Sequence, residues 1–418
     1  MLKWQISPTI GGALLVAGSC IGAGMLGLPI LAGLVGLGPS LIWLVIVWAY
    51  MLATALLLAE ANLWFPNKSI NLLTLSELTL GKTGKLFAWL TFIFLFYSLL
   101  VAYTVKAGQF VHLGLIELFH QDVPAILGPV TLLSICGGFV YFGANWVDNF
   151  NRVGMLGLIA TYFYLITLAS QHATTVGLVH QDWNLSLYLI PFLIISFGFH
   201  NMLPSIKTYL NHDCAALIRA VKLGGIFPLV MYAIWLAVMV SALPLLGDNG
   251  IIHGFHHGEI ATEPLSRLSL NPRVVIFAQG FAFFAIITSI LGQGLSLVDF
   301  LDDGLEYKGK SFSRGFLCML VFFPPLIFSQ LDPNLFFKAL EYAGGIAAIL
   351  LFGIMPALIV WRGRYQLGLH GLYQLFGGRP LLIIIILSGL LVLGLEIGTI
   401  LKWWQWPIPP LTSTHIAQ

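Results

Sequence analysis

Long apolar runs, parted only by short stretches rich in charge, proline and asparagine, recur from one end of the chain to the other. A helix needs roughly 20 consecutive apolar residues to cross a bilayer core. The runs fall at about 9–37, 40–62, 86–114, 126–143, 153–170, 187–210, 223–246, 272–300, 314–330, 336–361 and 379–402. They are continuous rather than alternating, which suits helices and not a transmembrane β-barrel. The expected fold is an all-α polytopic membrane protein with about 11 transmembrane helices. The run at 314–330 is the least regular, being short and holding Pro324-Pro325. Only 9% of the 418 residues are charged and 58% are hydrophobic, with mean hydropathy +0.93. Soluble domains carry about 25% charged residues, so a soluble enzyme, a nucleic-acid binder and a disordered chain are excluded.

Lysine and arginine set the orientation, because cytoplasmic loops collect them. With the N-terminus inside, 14 of them fall on the inner side (Lys3 to Arg379) and four, Arg267, Arg273, Lys338 and Lys402, on the outer. The expected topology is N-terminus cytoplasmic and C-terminus periplasmic, with lipid around the helices and no cleaved leader. Residues 66–80 and 211–222 read as short surface helices. The outer loop with His253, His256, His257, Glu259 and Glu263 reads as solvated rather than as a metal site. Asp299, Asp302 and Asp303 lack the ligand spacing of a calcium loop and read as a solvated helix end or a gate ion pair. Cys20, Cys136, Cys214 and Cys318 form no CxxC and read as small apolar side chains. No metal or cofactor is expected.

Two runs carry helix-breaking residues in mid-span. The first reads Gly18-Ser19-Cys20-Ile21-Gly22-Ala23-Gly24-Met25-Leu26-Gly27-Leu28-Pro29. The sixth reads Ser196-Phe197-Gly198-Phe199-His200-Asn201-Met202-Leu203-Pro204-Ser205. Glycine lets the chain leave helical geometry and lets a ligand approach the backbone, although such glycines also serve close helix packing. Interruptions at matching places in two five-span units point to a transporter site near the bilayer midplane, and an odd unit length makes the units inverted. A broken helix presents N–H groups at the start of its second half and carbonyls at the end of its first. The first set suits a carboxylate and the second an ammonium or a cation. An α-amino acid has both groups on one carbon.

With these motifs, and Thr288-Ser289-Ile290-Leu291-Gly292 followed by Asp299, the chain resembles the hydroxy and aromatic amino acid permease family over nearly its whole length. Within that family it resembles notably the bacterial tyrosine and tryptophan permeases. That family belongs to the amino acid–polyamine–organocation superfamily. The resemblance implies a LeuT-type 5+5 inverted repeat, with one repeat at about 9–170, the second at about 187–361 and an extra helix at about 379–402. It implies that Gly22, Ala23 and Gly24 take the substrate carboxylate, and that carbonyls of Cys20 and of Ser196 to Gly198 cradle the ammonium. Phe197, Phe199 and His200 would face the side chain, with Tyr103, or alternatively Tyr97, as a further lining residue. His200 also reads as a hydrogen-bonded structural histidine.

The resemblance favours protons as the coupling ion, with His200, Glu60, Lys106 and Glu396 as candidate carriers. Lys106 reads equally as a cation reaching toward the outer face. The alternative is a sodium site built from carbonyls of Gly18 and Ile21 and the hydroxyls of Thr288 and Ser289, which otherwise bond their own helix. The expected function is import of aromatic amino acids, tyrosine first, across a bacterial inner membrane. The chain has no Walker A sequence, a membrane enzyme would need clustered His, Asp or Glu in the spans, and a channel would need a continuous polar path.

Overall fold

The computed structural model describes residues 7–22, 24–65, 70–268, 272–305, 312–332 and 335–410. Among these residues every regular element is helical. In chain order they are α1 (Pro8–Cys20), α2 (Gly24–Val35), α3 (Leu37–Leu63), α4 (Leu72–Phe119), α5 (Leu127–Phe142), α6 (Ala144–Ala169) and the single turn α7 (Val176–Val179). Then come α8 (Ile190–Ser196), α9 (Leu203–Tyr209), α10 (Cys214–Ala242), α11 (Ile251–His256), α12 (Thr262–Leu268) and α13 (Pro272–Leu305). Last are α14 (Arg314–Phe328), α15 (Leu335–Tyr342), α16 (Met355–Tyr365) and α17 (Gly378–Ile400). A wide-turn π segment, Ala343–Ile354, joins α15 to α16 in one stretch.

Among the described residues, eight helical stretches are long and apolar enough to cross a membrane, and nine if α1 and α2 are taken as one span bent by 60°. Two further apolar runs form shorter helices: α5 has 16 residues and α14 has 15. Pro324 and Pro325 lie inside α14 without dividing it. The outer faces are apolar. Leu156, Ile384, Leu391 and Leu90 are more than half exposed, which in water would be an aggregation surface and in a bilayer is the ordinary exterior.

The surface helix expected at 66–80 is present from Leu72 and runs on into the long span. Gly81 divides the two at φ 80, a left-handed conformation that glycine adopts without steric cost. Residues 66–69 and Ala23 lie outside the described residues. Between α2 and α3 Gly36 has φ 93, and a Cβ there would clash with the His180 carbonyl oxygen, so only glycine fits the approach.

Two buried charges are met by specific partners. Lys207 Nζ donates to the carbonyls of Asn62 at 2.9 Å and Phe65 at 2.8 Å, closing the exposed C-terminal end of α3. Arg364 donates to both oxygens of Glu60, at 2.6 Å and 2.5 Å, and the Leu375 N–H adds a third bond at 2.8 Å. α1 packs along α10 and α6 along α13, while α4 runs between α5, α13, α15 and the π segment. This arrangement brings the two interrupted regions together.

Candidate functional site

The first interruption begins where Ile21 turns extended, at φ −79 and ψ 101, after a last helical bond to the Ala17 carbonyl. Helix resumes at Gly24, and the Met25 N–H bonds the Gly22 carbonyl at 3.0 Å. Pro29 has no N–H to give the Met25 carbonyl four residues back. Trp235 Nε1 on α10 supplies that bond instead, at 2.9 Å. The second interruption begins after Ser196: Phe197 and Phe199 leave helical geometry, His200–Met202 form a single 3₁₀ turn, and helix resumes at Leu203. Pro204 sits in the first turn of α9, where its missing N–H costs nothing.

The two interruptions face each other. A Cβ on Gly24 would lie 3.1 Å from Ser196 Oγ, and one on Gly22 would lie 2.7 Å from Ser289 Oγ. The hydroxyl of Tyr232 on α10 donates to the Cys20 carbonyl at 2.6 Å and reaches the Ser196 carbonyl at 3.3 Å. One side chain therefore gathers the carbonyl ends of both broken helices, the negative ends of their dipoles. Beside them lies a small cavity of roughly 50 Å³. Its wall joins the polar breaks to Phe96, Leu99 and Tyr103 of α4, to Gln293 and to Phe352. Peptide dipoles at one end and rings at the other can take a zwitterion with an aromatic side chain without burying a formal protein charge, which is costly in a bilayer.

Of the residues expected here, Cys20, Gly22, Gly24, Tyr103, Ser196, Gly198 and Ser289 line this cavity. Tyr97 does not: its hydroxyl bonds the Leu320 carbonyl at 2.8 Å, toward α14. Phe197 is buried edge-on against Tyr232, with ring centroids 5.5 Å apart, and Phe199 packs beside His200. His200 is fully buried. Its Nε2 pairs with Thr54 Oγ1 at 2.9 Å, its ring stacks on Phe352 at 4.8 Å, and its Nδ1 has no partner. It lines a second cavity, of about 60 Å³, with Leu58, Asn62, Phe92 and Phe300. Asn201 lies on the wall of both cavities.

The coupling candidates are dispersed. Thr288 and Ser289 donate to the Phe284 and Ala285 carbonyls of their own helix, each at 2.7 Å. Gly18 lies against Met155, and Ile21 is 5% exposed. Glu60 is held by Arg364 as described. Lys106, 2% exposed, lies 2.8 Å from Glu263 of α12 and not on the cavity wall. Burial raises the Glu263 carboxyl above its usual range, and the neighbouring lysine works against that shift. Arg314 and Asp299 stand 3.9 Å apart and partly exposed. Glu396 on α17 is buried over Gly345. The sequence offers no local signal for Tyr232, Gln293 or Phe352, which reach the site from uninterrupted apolar helices.

Among known proteins, the model of the tryptophan/tyrosine permease family matches residues 6–396. A tyrosine-specific transport system 1 of Haemophilus influenzae is 30% identical, over 93% of this chain and 96% of that protein. A tryptophan-specific transport protein of the same organism is 29% identical over 97% and 99%. A tryptophan-specific transport protein of Pseudomonas aeruginosa is 28% identical over 91% and 92%.

Proposed function

The chain belongs to the tryptophan/tyrosine permease family, and from that premise we propose that it imports aromatic amino acids, tyrosine foremost, with protons across the bacterial inner membrane. It is a membrane transporter, not an enzyme. The observation that carries the reading is the convergence of both helix interruptions on one cavity with an aromatic far wall. The start of α2 holds the carboxylate, the Cys20 and Ser196 carbonyls hold the ammonium, and Phe96, Tyr103 and Phe352 hold the ring. Side-chain amides of Asn201 and Gln293 meet a phenol hydroxyl, which they can both donate to and accept from.

The architecture that goes with this reading has eleven spans, with α5 and α14 as short ones. They form two inverted five-span units, at about 9–170 and 187–361, and an added helix at the C-terminal end, the N-terminus being cytoplasmic. Protons are taken as the coupling ion from the family resemblance; the hydroxyls of Thr288 and Ser289 donate to carbonyls of their own helix and keep the lone pairs a sodium ion would use, so the sodium alternative is settled by the test below.

The test is uptake of labelled tyrosine by proteoliposomes in sodium-free buffer, with and without an inward proton gradient. Accumulation under the gradient, displaced by excess tryptophan or phenylalanine and not by alanine, is expected. Accumulation that begins only when sodium is added contradicts the proton reading. Indifference to aromatic competitors contradicts the substrate class.

A further inference from the structure

A buried acid that the sequence reading passed over stands beside the substrate cavity. Glu341, on α15, is 7% exposed and Glu396, on α17, is 4% exposed. Glu341 lies four residues before Gly345, and the Glu396 carboxyl lies over Gly345, so close that a Cβ there would come within 2.8 Å of Oε2. The Tyr188 hydroxyl donates to Glu341 Oε2 at 3.3 Å. Glu396 Oε1 is buried with no hydrogen-bond partner. The titratable and charged groups around the pair are Tyr188, from the turn before α8, and Tyr342 and Lys338, from α15 itself. Lys338 bonds Asp332 at 3.2 Å and is mostly exposed, so it does not neutralise the pair.

Two buried carboxylates close enough to repel, with one hydroxyl donor to Glu341, cannot both stay ionised: neither has a buried cation to offset its desolvation. The orphaned oxygen of Glu396 is the place where a proton completes the bonding. The position suits coupling. Leu340, the residue before Glu341, lines the substrate cavity, and so does Phe352, at the other end of the π segment. Tyr188, Pro191, Glu396 and Trp406 line a separate cavity of about 10 Å³, room for about one water beside Glu396. The stretch from α15 into the π segment thus touches the substrate cavity at Leu340 and Phe352 and carries Glu341 and Gly345, against which Glu396 lies. Wide helical turns of this kind frequently mark functional positions.

We propose that Glu341 and Glu396, positioned by Tyr188, bind the proton that is transported with the substrate. The proposal rests on the proton-symport reading above. A proton from water converts one carboxylate to a neutral carboxyl and removes the repulsion between the two, and α15 and α17 then stay closed over Gly345. Loss of the proton leaves two anions whose repulsion opens that contact to water.

The experiment compares wild-type, Glu341→Gln and Glu396→Gln proteins in proteoliposomes by two assays. One is tyrosine accumulation driven by a proton gradient, and the other is exchange of internal for external tyrosine with no gradient. In the variants accumulation is expected to fall to the external concentration while exchange, which needs no net proton movement, persists. If the wild-type protein accumulates and both variants do so equally, the acid pair is not the proton site, although symport stands. If the wild-type protein itself ignores the proton gradient, the symport reading falls and this one with it. Should a glutamine variant fail to exchange, Tyr188→Phe decides. Removing the donor to Glu341 is expected to move the pH midpoint of uptake upward by about one unit. An unmoved midpoint overturns the proposal.

Discussion

Substituting Gly22 by alanine tests whether the first interruption is a close-fitting site wall. The added methyl carbon lies 2.7 Å from Ser289 Oγ, where ordinary contact begins at 3.4 Å. The Ser289 hydroxyl is not free to swing away, because it donates to the Ala285 carbonyl at 2.7 Å. Either that bond breaks, at about 0.5–1.5 kcal/mol, or the interruption shifts, at the 1–3 kcal/mol or so typical of overpacking. At about 1.4 kcal/mol per factor of ten, Gly22→Ala is expected to lower tyrosine uptake by between roughly twofold and a hundredfold with normal expression. Ser289→Ala removes the obstructing oxygen. The double variant should therefore recover much of what Gly22→Ala loses, measured as initial uptake rate per folded transporter. Equal rates for wild-type and Gly22→Ala proteins would refute the packing argument. A double variant no better than Gly22→Ala would show that the contact with Ser289 is not the cause.

Three further outcomes are expected. Tyr232→Phe strips the donor shared by the Cys20 and Ser196 carbonyls, so substrate affinity should weaken by about 1–3 kcal/mol, read as a raised half-saturation constant in uptake. Arg364→Ala leaves Glu60 buried without its cation, and should cost about 3–5 kcal/mol of stability in thermal unfolding followed by size-exclusion; Glu60→Gln should cost less. Burial raises Glu263, so the folded chain holds that proton more tightly than the unfolded chain. This carboxyl's contribution is present below the ordinary carboxylate range and is lost as pH rises through the raised value. Glu263→Gln should therefore flatten the stability profile over that mildly acidic window, and an unchanged slope counts against it.

The helical class and the positions of the apolar runs were legible because hydropathy is local. A span can be recognised without knowing its neighbours. The interruptions were legible for the same reason, since glycine and proline act on their own backbone. Partners were not. Pro29 announces an orphaned carbonyl at Met25, but nothing local says that Trp235 will fill it. The Tyr232 hydroxyl is likewise invisible in a continuous apolar helix until α10 is laid against α1 and α8. Lys106 could be placed in a span by sequence, yet its counter-charge, Glu263, lies 157 residues away. Glu341 escaped notice because a single acid near a span end resembles a solvated terminus; only the packing of α17 over Gly345 buries it.

The most direct test is an experimental structure of the protein with tyrosine bound. The account predicts ligand density in the cavity between the interruptions, with the carboxylate at the start of α2 near Gly22 and Gly24. The ammonium should lie near the Cys20 and Ser196 carbonyls, and the ring among Phe96, Tyr103 and Phe352. Density confined to the second cavity, beside His200 and Phe300, or a zwitterion with its two ends reversed, would contradict it.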